Sequence, residues 1–361
     1  MMDIFESSTQ KTEQKKWIIS LGGGDAQLPL IKVAKAMGYQ ICIIDRDTQC
    51  KAAKIANHFI QESTHNTELV MLALQSFDHK ISAIFARTSG QALYTFAELS
   101  KKYSIYGINK KLVALCTVKS ILREFAKQHS IPTPFGNTNK QDEKHTFPLV
   151  VRPNFPVIGK QAVTVCSNKQ ELSIAVDHAV SRSANKTADI AQFIEGKDIT
   201  LLAHLKSGVV TPLAFWDEIN QFNSGKLTAI GLATPTSSTA KLQHQLIKYA
   251  TLFAKQFLSL NYILAFSFRV DEEQKPWLIE VHVDLTGDLI LDKLLPTASG
   301  LNTIELITRG LLGEEYSELT GQSITPTGIL FNEGGHELIK VKKQQDLQSI
   351  FYPREEVSID E

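Results

Sequence analysis

Between Trp17 and Asp45 the chain spells a strand, a glycine turn, a helix and a second strand, and that order leaves few folds open. Trp17-Ile18-Ile19-Ser20-Leu21 is an apolar strand pattern that runs straight into Gly22-Gly23-Gly24. From Ala26 to Met37, Leu30, Ile31, Ala34 and Met37 recur near helical spacing, with Pro29 in the first turn and Gly38 at the C′ position. Ile41 to Ile44 gives a second apolar strand closing on Asp45, Ile81 to Phe85 a third, and Gln91 to Lys102 a further helix. A strand returned by a helix to its neighbour runs parallel, with a right-handed crossover. The first third is therefore predicted to be a doubly wound α/β sheet.

The remainder is patterned differently. Leu115 to His129 reads as one helix, stopped by Ser130-Ile131-Pro132-Thr133-Pro134, because prolines so close together cannot continue it. Phe147 to Val151 and Ala162 to Cys166 read as strands around an irregular loop, followed by a helix at Glu171 to Val180 and a strand at Ile190 to Ile194. Ile199 to Leu205 and Val209 to Phe215 form an antiparallel pair about Lys206-Ser207-Gly208. After a long helix, Leu242 to Leu258, Ile263 to Val270 and Trp277 to Val283 form another pair across the polar turn Asp271 to Lys275. A last hairpin is predicted about Gly334-Gly335. Strands grouped in hairpins indicate an α+β region, and 361 residues at roughly 150 per domain allow two or three domains.

Charge narrows the partners. Lys plus Arg and Asp plus Glu both number 38, so no global field draws the chain to nucleic acid or an anionic membrane, and neither is expected as a partner. Apolar runs such as Pro148 to Val151 are far too short to span a bilayer, and the polar first 15 residues lack the apolar stretch of a secretory signal. Cys42, Cys50, Cys116 and Cys166 show no CxxC spacing and fit reduced thiols, so a cytoplasmic location is expected.

Three constellations carry candidate chemistry. Gly22, Gly23 and Gly24 stand between strand and helix, where backbone N–H groups can meet an anion. Asp45 lies where a ribose-binding acid of a dinucleotide site would stand, but Gln27 replaces the third fingerprint glycine, so a nicotinamide site, a tight turn and another ligand all stay open. Lys119, Arg152 and Lys160 are candidate phosphate cations. Scattered basic residues are usually solvated, yet Leu149-Val150-Val151 should be buried and deliver Arg152 to a fixed place. Glu280 and His282 share a strand face and, with Asp284, Asp288 and Asp292 following, are candidate metal ligands, against the reading of an ordinary polar edge strand. No GxSxG, HExxH or Walker loop is present, and Gly159-Lys160 is followed by Gln161.

In sequence order these pieces resemble the ATP-grasp superfamily. SLGGGDAQLPLIKVAKAMGYQICIIDRDTQCKAAKIANHFI is similar to the first domain of aminoimidazole ribonucleotide carboxylating members, and GINKKLVALCTVKSILREFAKQHSIPTP to the passage into the core. FPLVVRPNFPVIGKQAVTV resembles the phosphate lid, IAQFIEGKDITLL the adenine-contacting hinge, and WLIEVHVDLTGDLILDKLLPTASGLN the metal-binding strand and the loop after it. The resemblance spans residues 17–313. It implies a Rossmann-like pre-ATP domain at 16–112, a two-part ATP-grasp core at 113–324 with its lid at about 132–192, and a small C-terminal hairpin region at 325–361. It also implies ATP and Mg²⁺, small-molecule carboxylate and amine substrates, and a homodimer. Lys119, Arg152 and Lys160 fall at phosphate positions, Gln192, Phe193 and Ile194 at the adenine hinge, and Asp198 at the ribose acid. Glu280 and His282 fall at the metal, with Arg152 and Glu280 the catalytic pair, and Gly22, Gly23, Gly24 and Asp288 border the acceptor pocket. Departures are Arg152 for lysine, Ala191-Gln192 for the hinge glutamate, Ser267 for a metal acid, His282 for asparagine and Asp284 for arginine. The implied activity is ATP-dependent ligation of a carboxylate to an amine through an acyl phosphate. The alternative is a non-catalytic nucleotide-binding protein that has lost its metal site.

Overall fold

The computed structural model describes residues 16–138, 146–156, 162–223, 226–287, 289–314, 324–332 and 335–351. The first unit comprises β1 (Trp17–Leu21), α1 (Leu28–Ala36), β2 (Gln40–Asp45), β3 (His58–Gln61), α2 (Thr67–Ala73), β4 (Ile81–Phe85) and α3 (Ala92–Tyr103). Its strands are all parallel, in the order β3-β2-β1-β4. Ile18, Ile19, Ile41, Ile43, Ile44 and Phe85 are wholly buried, and burial of consecutive residues means that both sheet faces are covered. The sequence pattern missed β3, a short edge strand whose ends, His58 and Gln61, are exposed.

The next segment corrects an expectation. The single helix predicted over 115–129 is two, α4 (Lys110–Thr117) and α5 (Lys119–Gln128), separated by the extended Val118. The break is stabilised from outside, because the first N–H groups of a helix need acceptors. Lys119 N donates to Asn154 O at 3.0 Å and Ser120 N to Asn154 Oδ1 at 2.9 Å. Lys119 therefore opens a helix instead of lying in the middle of one.

The smaller antiparallel sheet is built from β5 (Gly136–Thr138), β6 (Leu149–Pro153), β7 (Thr164–Cys166) and β8 (Ala188–Gln192), in the order β5-β8-β6-β7. Helix α6 (Lys169–Ser181) covers one face and buries Leu149, Val151, Cys166 and Ala179 with it. The strand predicted to reach Ile194 ends at Gln192, with Phe193 N still donating to Pro148 O at 3.1 Å in continuation of the β6 pairing.

The larger sheet takes β9 (Lys197–Lys206), β10 (Val209–Asn223) and β11 (Lys226–Thr234), then, after α7 (Ala240–Ala254), β12 (Asn261–Val270) and β13 (Pro276–His282). A π-helical turn at Ile290–Leu294 leads into α8 (Leu295–Ser299) and α9 (Thr303–Leu311), and α9 packs on α1. The tail hairpin, β14 (Thr327–Asn332) and β15 (Gly335–Lys340), extends this sheet through β11, giving the order β13-β12-β9-β10-β11-β14-β15, and α10 (Gln344–Phe351) follows. Among the described residues no helix is long and apolar enough to cross a membrane, and all four cysteines are free.

One aromatic cluster fixes α5 on the large sheet. Phe253 of α7 is wholly buried, with ring centroids 5.1 Å from Phe125 of α5 and 5.4 Å from Phe266 of β12. Phe253→Ala should cost about 3–5 kcal/mol through lost burial and a residual cavity. Calorimetric unfolding measures this, and a loss within the scatter of surface substitutions would show that the cluster does not anchor α5.

Candidate nucleotide-binding site

Alternation along β6 aims the first functional side chain. Leu149 and Val151 pack under α6, which turns Val150 and Arg152 to the opposite face. Across from them, β13 carries a bulge: Ser267 pairs with Glu280 and Phe268 with Leu278, leaving Ile279 unpaired. The bulge brings Ile279 and Glu280 together onto the wall of a cavity of about 420 Å³ between the two antiparallel sheets. Lys119, Arg152, Gln192, Phe193, Ile194, Asp198, Glu280 and His282 all line it. Residues predicted from separate segments thus meet in one place. Lys160 and Asp288 lie outside the described residues.

Two polar groups face each other across the apolar wall of Val150, Ala191 and Ile279. In the first, Lys119 Nζ lies 2.7 Å from Glu280 Oε1, and His282 Nε2 lies 3.6 Å from Glu280 Oε2. Burial alone would raise the Glu280 carboxyl, but Lys119, His282 and Arg152 outweigh it and hold it well below the usual carboxylate range. In the second, Asp198 accepts two bonds from Arg269, its neighbour in register, and one from Asn220 Nδ2 at 2.6 Å. Arg269 Nη1 also donates to Ile194 O at 3.3 Å, and the guanidinium lies 5.4 Å from the Phe193 ring centroid. Phe193 lines the cavity as part of an aromatic and cationic stack, with the Phe222 ring at a centroid distance of 5.9 Å.

Arg152 is held from behind. Its Nε and Nη2 donate to Asp189 Oδ2 at 3.2 and 2.7 Å, while Arg123 Nη2 donates to Asp189 Oδ1. Asp189 is 0% exposed; burial would raise its carboxyl, yet Arg152 and Arg123 together hold it below the usual range. Sequence reading missed Asp189, Arg123, Arg269 and Asn220. The available signal was a charged residue inside the apolar run Ala188 to Ala191.

The glycine turn is placed elsewhere. Gly22, Gly23 and Gly24 do not line the cavity. Gly23 N donates to Asp45 Oδ2 at 2.9 Å and Gly24 N to Gln27 Oε1 at 3.0 Å, so the groups a dinucleotide phosphate and ribose would need are used within the turn. A Cβ on Gly23 would stand 2.5 Å from Cys50 Sγ, which gives the glycine a packing reason. Cys116 also lines the cavity, where burial, and then Asp284, push its thiol well up from its ordinary value.

No family model matches the sequence. Solved structures do match the fold. An L-amino acid ligase from Bacillus licheniformis aligns with a TM-score of 0.75 at 15% identity, over 94% of this chain and 97% of that one. N5-carboxyaminoimidazole synthetase from Staphylococcus aureus, complexed with ADP, gives 0.71 at 14% identity over 94% and 98%. The biotin carboxylase domain of the Hydrogenobacter thermophilus 2-oxoglutarate carboxylase, in complex with MgADP, ADP and bicarbonate, gives 0.71 at 18% identity over 88% and 74%. All three are ATP-grasp enzymes. The chain has the ATP-grasp fold. At these identities the likeness is one of architecture, and the chemistry rests on this chain's own residues.

Among the described residues no three His, Cys, Asp or Glu side chains stand together as a protein-only metal cage. Ser267 faces Glu280, and its Oγ is within hydrogen-bonding distance of Thr200 Oγ1 at 3.0 Å. Glu280, paired with an ammonium, and His282 offer Mg²⁺ one carboxylate and one imidazole, so the nucleotide's phosphates and water would have to supply the remaining oxygen ligands.

The depressed carboxyls have a thermodynamic consequence. A carboxyl held lower in the folded chain than its unfolded value of about 4.3 stabilises the fold above that value and loses its contribution progressively as pH falls from there toward the lowered folded value. Glu280→Gln should therefore lose less stability than the unsubstituted chain between about pH 6 and pH 3. Urea midpoints that fall in parallel over this range would contradict the ion pair.

Proposed function

We propose that the chain is an ATP-dependent ligase that joins a carboxylate to an amine through an acyl phosphate. The convergence of Lys119, Arg152, Phe193, Asp198 and Glu280 on one cavity carries the reading. In it, the base lies against Phe193 with Ile194 at its edge, the ribose meets Asp198 and Asn220, and the phosphates meet Lys119 and Arg152. A substrate carboxylate oxygen attacks the γ-phosphorus, the bond to the bridging oxygen breaks, and ADP leaves. The amine nitrogen then attacks the acyl carbon, phosphate departs with the acyl bond's electrons, and the amine loses its proton. Such catalysis is positioning and charge stabilisation, for which fixed cations in a partly dry cleft suffice without a covalent enzyme intermediate. The carboxylate and amine are small molecules.

A second reading has its own observation. Lys119 closes on Glu280, and Ser267 stands where a second acid would have to be. These favour a protein that binds the nucleotide without turning it over.

ATP at millimolar concentration should raise the melting temperature, since binding to the folded state stabilises it by mass action. Phosphate release across a panel of amino acids, with Mg²⁺ and with chelator, then separates the two readings. Release that drops at least about tenfold in Glu280→Gln supports the ligase, that factor being one lost interaction of about 1.4 kcal/mol. Binding without release under any condition supports the second reading. Absence of both the thermal shift and calorimetric heat would sink the nucleotide site itself.

A further inference from the structure

We infer that Asp189 is the positioning residue for Arg152, and that Arg123, which does not line the cavity, supplies the excess positive charge that Arg152 presents to a nucleotide phosphate. The inference deepens the nucleotide-site reading above and rests on it.

The two cations assigned to the phosphates are not alike. Lys119 is neutralised by Glu280 at 2.7 Å, so that pair adds little net field. Arg152 is also paired, with Asp189, but Asp189 is shared. Its two carboxyl oxygens serve different guanidiniums, Oδ1 that of Arg123 and Oδ2 that of Arg152. Two cations on one anion leave one positive charge in excess, and of the three only Arg152 lines the cavity. Arg123 is 4% exposed and Asp189 is 0% exposed, so neither charge is screened by water at close range.

The arrangement is built by the fold. Arg152 and Asp189 are direct partners in the β6–β8 register, which fixes their side chains side by side on one sheet face. Asp189 takes the Nε/Nη2 edge of Arg152, leaving further N–H groups of the planar fork for an anion in the cavity. Arg123 arrives from α5, one helical turn after Lys119. Its seat requires a glycine: a Cβ on Gly136 would lie 2.8 Å from Arg123 Cζ and 2.5 Å from Ile190 O. A guanidinium gripped on one edge gives up little side-chain freedom when a phosphate binds the other.

Charge and geometry make opposite predictions for one substitution. Removing the Asp189 charge adds to the positive field, so electrostatics alone predicts tighter phosphate binding for Asp189→Asn. Positioning predicts weaker binding, because Arg152 loses its grip. The test is calorimetric affinity for ATP and for adenosine at one fixed ionic strength, in the unsubstituted chain, Asp189→Asn, Arg123→Gln and Arg123→Lys. ATP affinity should fall at least threefold in Asp189→Asn and about tenfold in Arg123→Gln, with adenosine affinity within twofold in both. Arg123→Lys keeps the charge and should restore most of the loss. If Asp189→Asn does not fold, Arg123→Gln decides, since it leaves the Asp189–Arg152 pair intact. Parallel losses for ATP and adenosine would reduce the triad to a structural role. Unchanged ATP affinity, or tighter ATP binding by Asp189→Asn, would overturn the inference. Failure of the unsubstituted chain to bind ATP would instead count against the nucleotide site.

Discussion

Helix α5 is tied to two different sheets by two side chains on one of its faces, and the cleft depends on that double attachment. Lys119 reaches Glu280 on β13 of the large sheet, while Arg123, four residues on, reaches Asp189 on β8 of the small one. Residues four apart on a helix lie on the same side, so a single rigid element sets the distance between the cleft's walls. The backbone joins in, since Asn154, just past β6, caps the first turn of α5. Phe253 and Phe125 hold the same helix down on its other side. Buried ion pairs of this kind are weak net stabilisers against apolar substitutes, but removing one partner is strongly destabilising. Their value here is geometric.

The electrostatics of the cleft follow from that geometry. Depressed carboxyls at Asp189 and Glu280 mean that both stay ionised through the neutral range, so the paired cations are held, not freed. The bulge at Ile279 sets an apolar side chain beside the Glu280 carboxylate, and the register of β12 with β13 sets Ser267 opposite it. The described cations that line the cleft are held by carboxylates, Lys119 by Glu280, Arg152 by Asp189 and Arg269 by Asp198. The architecture is shared with the amino acid ligase, the N5-carboxyaminoimidazole synthetase and the biotin carboxylase domain.

Much of the fold was legible because period and punctuation agreed. The parallel sheet followed from apolar runs broken by Gly22 to Gly24 and Gly38, and the hairpins from polar turns between β-rich runs. What stayed hidden had physical reasons. Strand β3 is short, at an edge and half polar. The break at Val118 is stabilised by Asn154, a tertiary contact with no local signature. Strand β11 is rich in alanine and glycine, which carry little strand signal, and its place between β10 and β14 is set by pairing partners. For the site, residues ending a buried strand, such as Arg152, could be placed by alternation alone. Asp189 and Arg123 act through pairing across 66 residues of chain, which no spacing rule reports. The glycine turn shows the converse: its pattern suits an anion, but Asp45 and Gln27 take up its N–H groups.

The position of a bound nucleotide decides between these readings of the cleft. The most direct measurement is a crystal structure with a non-hydrolysable ATP analogue. The account predicts the base against Phe193, the ribose at Asp198 and Asn220, and phosphate oxygens on Lys119 and Arg152, with the Arg152–Asp189 bonds kept. An analogue bound at the Gly22–Gly24 turn, or phosphates that leave Arg152 untouched, would contradict it.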